Sequence, residues 1–355
     1  MRFIPIFLLA LTAIFGVFSC STDVDLTAEP KDIWVVYGVL NPNDSLQYVR
    51  VSKAFLVDGN ALEVAKDSDL SAKNIKVELW NSRGKLSHTA TALVIQKDSG
   101  TFYRGETVYR FRTPNTNPLR EENTYTLRIT RADQPNFLIT AHATIPSTPT
   151  ITSPGSTSCG NVGANPPQAF WEQVPIESQV NLTFRKKVGY GYELRAGLAY
   201  RQLDGTPQLA TWYSNKVSLS QNCLGSPSAV CYDISGNFIL SSFLSQMQAS
   251  GGTAWKYNDS TSCAPEPSLS RAFWFEATAI DTAYSKYLVV NAPQFTDLND
   301  VRPEFTNITI NAPKSAAYGI FGAINTYRRY CALTPCGKYL LRLNNAAKPE
   351  GKCSL

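Results

Sequence analysis

Histidine and methionine are nearly absent from this 355-residue chain, with two of each. With only His88 and His142 available, a histidine-based metal centre has too few ligands. A Ser-His-Asp triad would have to use one of these two, and neither stands near a nucleophile motif. No Cys-x2-Cys pair occurs and neither histidine neighbours a cysteine, which removes the usual zinc patterns. Dense Lys/Arg runs are missing as well. The 33 basic and 28 acidic residues are dispersed, so nucleic acid is not an expected partner. Beyond residue 19, no run reaches the ~18 apolar residues that a membrane-spanning helix needs. Hydrophobic residues make up 43% of the chain and charged residues 17%, which excludes a disordered chain. A chain this long buries roughly three-quarters of its unfolded surface, so it does not need disulfides merely to fold.

What the chain does have begins at the N-terminus. Arg2 precedes an apolar run from Phe3 to Val17, and Val17-Phe18-Ser19-Cys20 closes it with a small residue directly before a cysteine. This resembles a bacterial lipobox, in which residues 1–19 are a signal peptide removed after lipid is attached to Cys20. The alternative is an ordinary secretory signal with an incidental cysteine. Without residues 1–19 one arginine is lost, leaving 32 basic against 28 acidic side chains, net +4. Residues 20–31 read as a tether, with Asp23, Asp25, Glu29 and Pro30 among isolated apolar residues. Its acidic start resembles the surface-export signal of Bacteroidota lipoproteins. The expectation is an outer-membrane protein held by lipid alone and facing the cell surface.

Seven further cysteines are present, an odd number for an exported protein in which pairing is expected. Cys223 and Cys231 flank Gly225-Ser226-Pro227, a turn able to bring the two thiols together. Either Cys331 or Cys336 is expected to tie down the tail through Cys353. Cys159 and Cys263, both in Pro/Ser/Gly-rich stretches, are the third candidate pair.

The pattern from residue 32 onward has period two. Ile75, Val77 and Leu79 share one face with Lys76 and Glu78 on the other, and Tyr125, Leu127 and Ile129 repeat it. Trp34–Leu40, Tyr48–Lys53 and Phe137–Ala143 are further strands, separated by turn signals such as Asn41-Pro42-Asn43-Asp44. Residues 32–146 therefore read as an antiparallel, immunoglobulin-like β-sandwich. Ile145-Pro146-Ser147-Thr148-Pro149 breaks the pattern and reads as a linker. Residues 147–355 read as a second β-rich domain with strands at Gln179–Arg185, Tyr190–Gln202 and Ala272–Ile280. One or two short helices belong to it. Ser235–Ala249 carries Ile239, Leu240, Phe243, Leu244 and Met247 at helical spacing, and Asp281 is placed to cap a helix holding Tyr284, Tyr287 and Leu288. Both stripes are expected to be core.

This order of parts resembles a family of Bacteroidota outer-membrane lipoproteins of unknown function. The resemblance is carried by Cys20, Glu122-Asn123-Thr124-Tyr125-Thr126-Leu127, Asp281–Leu288, Arg302–Ile308 and Ala317-Tyr318-Gly319-Ile320-Phe321-Gly322-Ala323. Residues after about 330 look like an addition. Members are often encoded beside TonB-dependent transporters, which implies an outer-membrane β-barrel partner and supplies no catalytic residues or cofactor.

Individual motifs point away from enzymatic chemistry. Gly319-Ile320-Phe321-Gly322 lacks the Lys-Ser/Thr end of a phosphate loop, and its glycines fit close backbone packing. Asp297, Asp300 and Glu304 miss the EF-hand spacing and read as a solvated loop, so no metal is expected. Ser45, Ser260 and Thr282 follow aspartates in triplets resembling a Bacteroidota O-glycosylation sequon. Trp171, Trp212-Tyr213 and Trp255-Tyr257 lie beside turns, where exposed aromatics would form a stacking surface and buried ones a core. The leading expectation is a non-enzymatic interaction subunit of an outer-membrane barrel complex, for uptake or barrel assembly. A glycan-binding module or adhesin is the alternative, and a hydrolase ranks last because no acid pair or nucleophile can be nominated.

Overall fold

The computed structural model describes residues 32–54, 66, 69–96, 105–153, 179–185, 191–214, 229–251, 255–256, 273–291, 305–331, 335–343 and 345–346. The fold is mainly β. Its largest sheet has eight strands in the order β12 (Pro207–Tyr213), β11 (Gly191–Arg201), β14 (Phe273–Ile280), β16 (Ser315–Cys331), β1 (Asp32–Leu40), β2 (Leu46–Ala54), β6 (Gly105–Arg112) and β5 (Thr91–Gln96). A five-stranded sheet runs β15 (Thr309–Asn311), β8 (Leu138–Thr144), β7 (Thr124–Arg131), β3 (Ile75–Trp80), β4 (Leu86–Thr89). A three-stranded sheet runs β13 (Ala229–Ser235), β10 (Gln179–Arg185), β9 (Thr150–Ser153).

The five-stranded sheet packs on the β1–β2–β6 part of the large sheet, and the period-two pattern explains how. Trp34, Val36, Val49, Phe111, Leu127 and Phe321 turn inward and share one fully buried core. The other face of the five-stranded sheet is polar, as an antiparallel sheet with one wet side requires. Threonines pair across it, Thr124 with Thr144 at 2.8 Å and Thr140 with Thr309 at 2.7 Å.

Strand β16 joins the two halves of the molecule. Residues Ser315–Ala323 pair parallel with β1, and Ile324–Cys331 pair antiparallel with β14. A 17-residue strand extends about 55 Å, long enough to serve both. The sandwich is therefore not wholly antiparallel, and the chain does not divide cleanly at residue 146. Ile308, Ala317, Phe321 and Ala323 come from far beyond that point yet belong to the first core. The expected linker is also packed: Ile145 and Ser147 are buried, and the Ser147 hydroxyl donates to Glu122 Oε1 at 2.6 Å. Buried Asn325 on β16 holds the same segment, its Nδ2 donating to the Pro146 carbonyl at 2.9 Å. Those satisfied backbone groups turn a Pro/Ser-rich stretch into part of the core.

Three short helices are present among the described residues, one more than expected: α1 (Gly236–Ala249), α2 (Thr282–Val290) and α3 (Pro335–Leu340). Helix α1 covers the second core, where Phe243 and Met247 are fully buried among Phe273, Phe275 and Trp255. It also closes the β12 edge. The Gln246 side chain accepts from the Thr211 amide at 3.0 Å and donates to the Thr211 carbonyl at 2.7 Å, as a neighbouring strand would. Helix α2 is capped by Asp281, as the sequence predicts, with Oδ1 accepting from the Tyr284 amide at 2.8 Å. Its apolar stripe is not core, however, since no α2 residue is fully buried. The helix lies on the outer face of the large sheet, where Tyr287 meets Tyr37 edge-on at 6.4 Å.

Candidate functional site

The glycines of the Gly319–Gly322 motif shape the outer face on which the candidate site is built. A Cβ on Gly322 would lie 2.6 Å from the Tyr284 Cβ, so only glycine lets α2 sit this low on β16. Gly319 has φ +115°, and a Cβ there would meet the Val36 carbonyl oxygen at 2.0 Å. Close backbone packing is thus the role of both.

Beside the N-terminus of α2, the outward residues of β11, β14 and β16 floor a cleft of about 650 Å³. The turn between β1 and β2 forms one wall, tied down where Asn43 Nδ2 donates to the Thr326 carbonyl. Strand register sets a row across the floor: Tyr213 lies opposite Arg195, Arg195 opposite Glu276, and Glu276 opposite Arg328. Arg328 Nε and Nη2 donate to Glu276 Oε2 at 2.9 and 2.5 Å. Arg195 Nη1 is 3.9 Å from Glu276 Oε1, an ion pair without a direct hydrogen bond. Glu276 is nearly buried, and two guanidinium groups face its one carboxylate.

Aromatic rings hold both arginines. The Arg328 guanidinium lies 4.1 Å from the Trp274 ring centre, and that of Arg195 lies 5.2 Å from Trp274 and 4.8 Å from Tyr213. Trp274 in turn lies flat over Gly197, where a Cβ would be 2.1 Å from the indole. Among the described residues, Arg195 Nε is buried without a hydrogen-bond partner. Tyr213 is 59% exposed at the cleft edge. At the α2 end, burial and then the nearby Glu193 carboxylate push the Tyr284 hydroxyl above its ordinary pKa. Below it, Asp281 is buried at the meeting of β8, β16 and α2; burial pushes its carboxyl up to about 6, opposed by the amides of Tyr284, Ala323 and Thr144.

Residues 21–329 match the family described as Domain of unknown function (DUF4249). The chain belongs to that family. The match contains all of the cleft row and stops just before α3, so the stretch after residue 330 lies outside it. No curated protein matches the chain.

The structure does not assemble the residues singled out from sequence into one site. Cys20, Cys159, Cys223, Cys263 and Cys353 lie outside the described residues, as do Ser260, Trp171, Tyr257, Asp297, Asp300 and Glu304. Backbones place Cys231 on β13, Cys331 at the end of β16 and Cys336 in α3. Ser45 is exposed in the β1–β2 turn and Thr282 is half-buried at the start of α2. Trp212 and Trp255 are core residues, which leaves Tyr213 as the exposed member of those turns among the described residues. His88 and His142 are both on strands; His88 Nε2 lies 3.0 Å from the Asn117 carbonyl and His142 Nδ1 lies 3.0 Å from Thr126 Oγ1. Arg195, Glu276 and Arg328 escaped sequence reasoning. Their signal was a charged residue at an outward position of an otherwise apolar strand, most visible in Phe273-Trp274-Phe275-Glu276.

Proposed function

We propose that this chain is a lipid-anchored, surface-facing outer-membrane protein that serves as a non-enzymatic interaction subunit of a β-barrel complex, for uptake or barrel assembly. The observation that carries this reading is the uncovered part of the large sheet's outer face. Tyr48 and Tyr318 are 46% and 40% exposed there, and exposed Arg50 and Arg112 lie on the same face. Tyrosine and arginine are the residues that dominate protein–protein hot spots. Strand β5 ends this face with Thr91-Ala92-Leu93-Val94-Ile95-Gln96, which has no charge and exposes Val94 and Ile95. Sheet edges without charge or proline are suited to strand addition by a partner. The lipobox resemblance at Cys20 and the family resemblance to Bacteroidota lipoproteins encoded beside TonB-dependent transporters support the barrel as that partner.

Mild-detergent purification of tagged protein from outer membranes is expected to recover a β-barrel, and Tyr48→Ala with Val94→Lys to lose it. Recovery of no barrel refutes the docking role. Anchoring is tested separately. Several acyl chains at about 0.8 kcal/mol per buried CH₂ hold a soluble domain firmly, so Cys20→Ala should leave the membrane fraction or keep its signal. A normally cleaved variant that survives a high-salt wash on the membrane places the anchor elsewhere. Protease added to intact cells should digest the protein; full protection places it on the periplasmic side.

A further inference from the structure

The cleft beside α2 has features that barrel docking does not use. Its lining sets Arg195 and Arg328 against Glu276, Glu193 and Asp44, and Glu276 hydrogen-bonds only one of the two guanidinium groups directly, that of Arg195 standing 3.9 Å away. A bidentate carboxylate is the natural complement of a guanidinium edge left in this state, because charge-assisted pairs of this geometry are the strong ones. Arg195 is already pre-organised by the Tyr213 and Trp274 rings, so little side-chain freedom remains to be lost on binding.

The walls specify the rest of the ligand. The lining mixes hydroxyls and amides, Asn41, Asn43, Ser214, Thr278 and Thr326, with the apolar surface of Leu194, Ile324 and Tyr284. That mixture matches a sugar ring, which carries hydroxyls around its edge and C–H groups on its faces. Tyr213, half-exposed at the edge, supplies a flat face for a sugar ring. Glu193 lies two residues along β11 from Arg195, opposite Thr278, and Asp44 stands on the turn above. They disfavour a second carboxylate and accept hydroxyl donors instead. We infer that the cleft binds a saccharide carrying a single carboxylate, a uronic acid joined to a neutral sugar, with the carboxylate on Arg195 and one ring on Tyr213. This deepens the glycan-binding alternative and is independent of the docking face, so either can fail without the other.

Cellobiouronic acid and cellobiose differ only in that carboxylate, and calorimetric titration of the full chain with each is the test. The acid should bind, with cellobiose about tenfold weaker or more, the loss expected for a hydrogen bond to a charged group. Arg195→Gln and Tyr213→Ala should each weaken the acid by a similar factor. Tyr213 is exposed, so its variant should keep the parent's unfolding temperature and remain informative if Arg195→Gln misfolds. Failure of the acid to bind, equal binding of cellobiose, or acid binding untouched by Tyr213→Ala overturns the assignment. So does tighter binding of an acetylated Ala-Glu-Ala peptide, which would make the site one for acidic peptides.

Discussion

Replacing Asp281 by Asn should change how stability depends on pH. The carboxyl is 5% exposed and held at about 6 by burial, against 3.8 when free. Because the folded value is the higher one, the native state binds the proton more tightly than the unfolded chain. Stability from this group is complete below pH 3.8 and is lost as pH rises through 6. The full difference between about 6 and 3.8 is worth about 3 kcal/mol, and about 2.5 kcal/mol of it falls between pH 4 and pH 7.5. Asn retains an oxygen for the Tyr284 amide, and Asn and Asp are nearly equal as helix caps. Urea unfolding of parent and variant at pH 4, 5, 6 and 7.5 isolates Asp281, since every other titrating group is common to both. The variant should gain about 2.5 kcal/mol on the parent across that range. A difference that stays flat with pH would refute the idea that burial of this carboxyl controls its ionisation.

Gly319→Ala combines a positive φ with a Cβ 2.0 Å from the Val36 carbonyl oxygen, so it should lose about 3 kcal/mol or fail to fold, as thermal melts will show. Gly84→Ala, at positive φ with open space around it, is the control and should lose about 1 kcal/mol. Phe243→Ala removes a fully buried ring set edge-on to Phe273 at 6.3 Å and should cost about 3–5 kcal/mol in urea unfolding. Glu276→Ala leaves two arginines facing each other; because both are partly exposed, the cost should be nearer about 2 kcal/mol, and Glu276→Gln should recover part of it.

Local periodicity made much of the β-structure legible. Ile75–Trp80, Thr124–Arg131 and Gln179–Arg185 form strands where apolar residues alternate or recur, because a strand's two faces repeat every second residue. The Asp281 cap and the tight packing at Gly319–Gly322 were equally local, set by one side chain and by the absence of two. Partner choice was not local. Nothing within Ser315–Cys331 states that its first half pairs with β1 and its second with β14, since pairing depends on which distant surfaces need covering. The same reason made Ile145–Ser147 read as a linker when Asn123, Glu122 and Asn325 hold it in the core. The α2 stripe looked like core until the fold set it on an outer sheet face, where none of its residues is fully buried. Arg195, Glu276 and Arg328, scattered over more than 130 residues, each looked like an ordinary outward charge. Only cross-strand register places them side by side, about 5 Å apart, where a row of three charges over two aromatic rings becomes a cleft floor. Along the strands the sequence by itself determined which residues share a face; the tertiary structure decided which faces are covered and which outward residues meet, because that depends on contacts between distant parts of the chain.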